Sequence, residues 1–245
     1  MRPEWKSAVV GGLGGALLAI VVVFAAARIG LLPISGDAIN AYLMAHPNIV
    51  AAMEEKALDQ EDAADDAASQ RAVDKLGLKA FFDPRLAYIT GPPDAKRTIV
   101  EFFDYNCPHC RHSLPALKKF YEAHKNDTRF AFIEYPFEGP NSTLAARAAL
   151  AARKQPDKYL AFYFAIMGSE YVASADLIKE EAEKAGIDYA KLQHDMDAPD
   201  VAAAIARAHS LGDAANISGT PMFIVNGKVH EGDLDDATLK QMIRS

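Results

Sequence analysis

The 245-residue chain has two cysteines, and they stand three positions apart in Cys107-Pro108-His109-Cys110. Four chemistries compete for such a pair. A structural disulfide would close a four-residue loop and contribute roughly 2 kcal/mol by loop entropy, whereas a loop of about 100 residues would give nearly 5. A stability staple is therefore poorly placed here. A zinc site needs two further ligands. His109 lies inside the pair, while His112 and His124 follow it on the same helix, so the usual separated second ligand pair is missing. A cuprous ion is harder to dismiss, because two thiolates alone can suit it. The fourth chemistry is a redox dithiol, which requires the pair at a helix N-terminus just after a strand. That context is what the flanking residues spell.

Position would account for reactivity. The attacking species is the thiolate, and free cysteine titrates near 8.5. At the first turn of a helix, Cys107 faces unpaired backbone N–H groups and the positive end of the dipole. The dipole supplies about 2 kcal/mol at most, or some 1.5 pKa units. The most acidic thiols of this kind titrate near 3.5, so direct hydrogen bonds and a donor such as His109 must supply the rest. A stabilised thiolate favours the dithiol and makes the disulfide a stronger oxidant. The intervening Pro108-His109 thus argues for an electron acceptor.

The elements that must position this pair are readable on both sides. Thr98-Ile-Val-Glu-Phe-Phe103 predicts a buried strand. The run through Leu114, Leu117, Phe120 and Tyr121 predicts a helix, and Arg129–Tyr135 a second strand. Together they make a βαβ unit with both cysteines at the start of its helix. Ser142 to about Leu211 is helical in pattern and alanine-rich, broken at Gln155-Pro156, Gly168 and Gly186, with Asn141-Ser142 as the expected cap of its first helix. Met222–Val225, the turn Asn226-Gly227 and Lys228–His230 spell a hairpin. An amphipathic helix from about Asp235, carrying Leu239, Met242 and Ile243, closes the chain.

Upstream lie two different segments. Ala8–Ala27 carries no charge, and 20 residues at about 1.5 Å each span roughly 30 Å of hydrocarbon. Arg2 and Lys6 precede it, which predicts a cytoplasmic N-terminus and an exported remainder. Ala25-Ala26-Ala27 also satisfies a signal-peptide cleavage pattern, and either reading delivers the chain to an oxidising space. Residues 35–80 predict a helical stalk, with Ile39, Leu43, Ile49, Val50, Met53 and Leu58 at helical spacing around Pro47 and then an acidic, alanine-rich stretch. Its thin apolar stripe suits either a solvated spacer or an oligomerisation segment. Lys and Arg number 26 against 33 Asp and Glu, and the net charge of −7 disfavours nucleic acid as a partner.

The segment Val100-Glu-Phe-Phe-Asp-Tyr-Asn-Cys-Pro-His-Cys-Arg-His-Ser-Leu-Pro115 resembles the DsbA-like thiol–disulfide oxidoreductases of the thioredoxin superfamily. So do Tyr135–Ser142, Ala145–Leu150 and Ser218-Gly-Thr-Pro-Met-Phe-Ile-Val-Asn-Gly-Lys228. The resemblance runs from about Asp83 to the C-terminus. It implies an α/β thioredoxin fold with an inserted helical domain. An anchor followed by a helical segment is similar to the ScsC-like subgroup, some of whose members are oligomeric and linked to copper tolerance. The expected organisation is a cytoplasmic tip and anchor or signal peptide at 1–34, a stalk at 35–80, the first half of the core at 81–136, the helical insertion at 137–217 and the second half at 218–245.

The same resemblance assigns roles. Cys107 is the expected exposed nucleophile and Cys110 the buried resolving thiol, with Pro108 and His109 completing the motif. Glu101 matches the family's buried acid that moves the Cys110 proton. Pro221 is the expected cis-proline facing the dithiol, with Thr220 offering backbone groups to an extended substrate. Pro115 is expected to kink the helix. Thr before the cis-proline resembles thioredoxin and isomerase-like relatives, whereas DsbA carries valine. The implied activity is disulfide oxidation of exported proteins, with an oligomeric isomerase or reductase, a copper-binding protein and a chaperone-like peptide binder as alternatives. No flavin, haem or nucleotide cofactor is expected, because the sulfurs carry both electrons. The implied partners are exported proteins with thiols or disulfides, a quinone-coupled reoxidant or a thiol reductant in the membrane, and other copies of the chain. The implied location is the periplasmic side of a bacterial inner membrane, anchored by a single pass or soluble after cleavage.

Overall fold

The computed structural model describes residues 36–244. The expected anchor or signal peptide lies outside them, and among the described residues no helix is long and apolar enough to cross a membrane. The chain divides into two compact units between Gln60 and Glu61. In the first, α1 (Gly36–Ala45) stops at His46 and α2 (Pro47–Leu76) begins at once. The residue before a proline is pushed out of the helical region, while Pro47 itself suits the first helical position. His46 folds back, with Nδ1 2.8 Å from the Tyr42 carbonyl. Ile39, Tyr42, Met44, Val50 and Met53 of this unit are exposed.

The second unit is built on a five-stranded sheet in the order β1-β3-β2-β4-β5. Its strands are β1 (Ala87–Thr90), β2 (Arg97–Phe103), β3 (Thr128–Glu134), β4 (Met222–Val225) and β5 (Lys228–Glu231). β2 and β3 are parallel, joined by α3 (Pro108–His124), and the other pairings are antiparallel. The central strands are apolar on both sides because both faces are covered. Ile99, Phe103, Phe130, Phe132 and Phe223 pack with α3 on one face. Val100, Phe102, Ala131, Ile133 and Ile224 face the opposite cluster, which includes Val73 and Phe81. The two-residue period of the strands sorts these sets.

Between β3 and β4 lies the expected helical insertion. Its helices are α4 (Pro140–Ala152), α5 (Tyr159–Met167), α6 (Ala175–Lys184), α7 (Tyr189–Met196) and α8 (Pro199–Ala214). Ser174 caps α6 and Asp188 caps α7 through their side chains. The first helix differs from expectation. It opens at Pro140 behind Gly139, whose φ is 98°, and Asn141-Ser142 lies inside its first turn. Proline at the first helical position sets that start. The hairpin turns through Asn226 (φ 51°) and Gly227 (φ 85°), both left-handed, the geometry that matches strand twist. The amphipathic helix α9 (Asp236–Arg244) follows.

Two features depart from the sequence reading. β1 lies where the sequence predicts no strand, and it pairs antiparallel with β3 along Ala87–Thr90. The end of the expected stalk is also part of the second unit. Ser69 is fully buried and donates to the Asn216 carbonyl at 2.9 Å. The Gln70 amide bridges the hairpin, donating to the Gly227 carbonyl and accepting from the Val229 N–H, both at 2.9 Å. Val73 is 2 % exposed.

Candidate active site

β2 ends at Phe103, and four residues carry the chain to α3. Asp104 organises this turn. It is buried, and one carboxylate oxygen accepts from the Asn106 N–H at 2.7 Å. The other accepts from the N–H groups of Phe137 (2.6 Å) and Glu138 (2.7 Å). Asn106 then holds the insertion, donating to Ser142 Oγ at 3.2 Å and accepting from the Ala173 N–H at 2.7 Å. Arg111 donates to the carbonyls of Tyr105 (2.8 Å) and Ser169. The cysteine loop is thereby fastened to two loops of the helical insertion.

Cys107 is the N-cap of α3, and Pro108 is its first helical residue, where a missing N–H costs nothing. Both cysteines are free thiols. The Cys107 thiol donates to the Thr220 carbonyl at 3.0 Å, and the Thr220–Pro221 peptide is cis, as the resemblance implies. The expectation of an exposed Cys107 requires correction. The residue is 2 % exposed, because the segment leading into β4 lies against it and takes its hydrogen bond. Cys110 is fully buried one turn deeper, and the Asp104 N–H donates to its sulfur at 3.5 Å.

The two thiols are electrostatically unlike. Cys107 is lowered to about 6, chiefly by a hydrogen bond from Cys110, and burial opposes the shift. The Thr220 side chain and the backbone N–H groups of Cys110 and His109 assist, although none closes a full capping bond. Cys110 is pushed far up, first by burial, then by Cys107 and the charge of Glu101. His109 also differs from expectation. Its imidazole Nδ1 meets Asp233 Oδ1 at 2.8 Å on the surface, so His109 assists the thiolate through its backbone. Ser113 locks the same segment, accepting from the Leu234 N–H at 2.8 Å while donating to the His109 carbonyl at 2.9 Å. α3 runs on across Pro115 to His124.

Glu101 is 1 % exposed, on the sheet face shared with Ile99 and Phe103. Burial raises it to about 8, and the Tyr163 hydroxyl, donating to it at 2.7 Å, opposes the rise. The structure thus brings Cys107, Cys110, Pro108, Thr220, Pro221 and Glu101 to one place and leaves the His109 ring outside. Sequence reasoning missed Asp104, Asn106, Tyr163 and Glu134. Two signals were available: an Asx-turn pattern directly before the cysteine, and a second acid closing the otherwise apolar run Phe130–Ile133. Among the described residues, no group of three or more His, Cys, Asp or Glu side chains could hold a metal ion.

An α/β sheet that sets a Cys-x-x-Cys pair at a helix N-terminus, opposite a cis-proline and above a buried acid, defines the thiol–disulfide oxidoreductases. The thioredoxin family model matches residues 86–245, and the chain belongs to that family. It is similar to a solved thioredoxin-like oxidoreductase from Silicibacter pomeroyi, with 37% identity and a TM-score of 0.63, over 69% of this chain and 96% of that one. It is 32% identical to the probable disulfide bond formation protein D of Bacillus anthracis, over 62% of this chain and 75% of that protein. It is also 28% identical to the Na(+)/H(+) antiporter NhaA 3 of Salinispora tropica, over 69% of this chain. The match spans 26% of that antiporter's length.

Proposed function

We propose that this chain forms disulfide bonds in exported proteins through Cys107 and Cys110. The observation that carries the proposal is the placement of the two thiols: Cys107 caps the start of α3 against Thr220 and Cys110 is fully buried one turn deeper, which holds Cys107 low and Cys110 high. A stable Cys107 thiolate favours the reduced protein, so the disulfide form passes oxidation on to its client. A client thiolate attacks Cys107, the Cys107–Cys110 bond breaks, and Cys110 leaves with the electron pair and takes a proton from Glu101. A second client thiolate attacks the client sulfur of the mixed disulfide and releases Cys107 as a thiolate. The client loses two electrons, and the protein holds them as a dithiol. A membrane oxidant then restores the disulfide. Pro221 lies beside the pair, and the Thr220 backbone offers an edge to an extended client segment.

The apolar run at residues 8–27 supports an anchored, periplasm-facing location. The name of the Bacillus anthracis relative favours bond formation. One observation favours a second reading. The exposed apolar side chains Ile39, Tyr42, Met44, Val50 and Met53 suit self-association of the stalk, which an oligomeric isomerase would use. The deciding experiment mixes the oxidised protein with a reduced unfolded client and, separately, with a scrambled one, alongside light scattering. Stoichiometric client oxidation without reshuffling supports the oxidase. Reshuffling by an oligomer replaces it with the isomerase. Transfer of no electrons, with tight cuprous binding that Cys110→Ser abolishes, overturns both in favour of copper capture.

A further inference from the structure

Glu134 has no part in the chemistry above, yet its placement is as unusual as that of Glu101. Both carboxyls are 1 % exposed. The parallel register sets Phe132 beside Glu101 and Glu134 beside Phe103. Side chains two apart on a strand share a face, so both acids project to the same side of the sheet. α5 covers that side and supplies one tyrosine to each. Tyr159 donates to Glu134 Oε1 at 2.6 Å, and Tyr163 donates to Glu101 Oε2 at 2.7 Å. The tyrosines are one turn apart, with rings stacked at 6.3 Å. Glu134 Oε2 is buried without a hydrogen-bond partner among the described residues. Arg153, the cation whose field reaches Glu134, donates to the carbonyls of Pro84, Leu86 and Ala87.

We propose that Glu101 and Glu134 form one buried acid pair behind the dithiol, in which Glu134 is a positioning residue that keeps a proton on Glu101 for delivery to Cys110. The inference rests on the thiol–disulfide reading. Two carboxylates in an apolar interior do not both ionise readily, so charge on one strengthens the other's hold on its proton. Burial raises Glu134 to about 7 and Glu101 to about 8, and the charge of Glu134 adds to the rise at Glu101. The facing groups are Tyr159 and Tyr163 from α5, Tyr105 from the cysteine loop, Arg153 from the end of α4 and Cys110 from α3. When the disulfide opens, Cys110 leaves as a thiolate and Glu101 gives up its proton. The pair is then left with two carboxylates, so Glu134 takes up a proton from solvent and the charge on the acid pair returns to one.

The test is Glu134→Gln, whose amide oxygen still accepts from Tyr159 but cannot ionise. The readout is the pH profile of single-turnover reduction of the full chain's disulfide by a small monothiol. In the unmodified protein it bends near 8, where Glu101 loses its proton. In the variant the bend moves acidward by about one unit, because the like charge is gone. Superimposable profiles overturn the pairing. Carboxyl-labelled glutamate NMR on the unmodified chain covers the case in which the variant does not fold. A Glu134 signal that titrates near neutrality and differs between oxidised and reduced protein supports the pair, and one that is the same in both overturns it. Failure of client oxidation by unmodified protein would sink the enzymatic reading and leave the NMR result standing by itself.

Discussion

The Cys107 thiol donates to the Thr220 carbonyl across 3.0 Å, joining residues 113 positions apart. This bond exists only while Cys107 carries its proton. Under the proposed function, loss of that proton, by ionisation or by closure of the Cys107–Cys110 bond, leaves the Thr220 carbonyl open to an N–H from an extended client segment.

That link makes the ionisation of Cys107 the first quantity to measure. With Cys107 lowered to about 6, roughly nine-tenths of it is thiolate at pH 7. Iodoacetamide should modify Cys107 alone, with a rate half-maximal near pH 6. The matching stability contribution is complete above the unfolded value near 9 and is lost as pH falls through 6. The urea midpoint of the reduced protein should exceed that of Cys107→Ser most at pH 9 and converge with it by about pH 5. Half-maximal alkylation near 8.5 would remove the basis of the proposed function.

Asp104 holds three backbone N–H groups. Asp104→Ala leaves these donors without their acceptor beside a buried turn, at about 1–3 kcal/mol each where burial is complete. Urea unfolding should show a loss of about 3 kcal/mol or more. A change below about 1 kcal/mol would mean that water replaces the carboxylate and that the loop is not held as described.

Gly212 sits inside α8 because Tyr135 lies against it. A Cβ there would stand 2.4 Å from Tyr135 Cε2. Alanine is the better helix former by about 1 kcal/mol, so a purely local view expects Gly212→Ala to stabilise. Overpacking reverses the sign, and we expect a net loss of about 1–3 kcal/mol by thermal melting. A raised Tm would show that the ring moves aside freely.

The second unit starts at Glu61, so two truncations should differ. Removing residues 1–60 leaves the hairpin bonds of Gln70 and the burial of Val73 in place. Removing 1–80 takes both away, and the lost Val73 burial alone costs about 1.5–3 kcal/mol. Equal urea midpoints for the two truncations would show that the end of α2 is dispensable.

The residues alone determined whatever depends on near neighbours. Two apolar runs flanking a Cys-x-x-Cys helix specify βαβ, Asn226-Gly227 specifies its hairpin, and Pro47 ends one helix and begins the next. The dithiol could be placed at a helix start for the same reason, since strand period, helix period and turn chemistry act over a few residues. β1 is not legible in the sequence because four residues before Gly91-Pro92-Pro93 carry too little period, and only their pairing with β3 makes them a strand. The tertiary structure alone decided that Thr220 covers Cys107, that the His109 ring turns to Asp233, that Gln70 fastens the hairpin and that Glu101 and Glu134 share a face. Each of these joins groups distant in sequence, and whether a buried acid or thiol holds its proton depends on the partners and the water that folding brings to it or takes away.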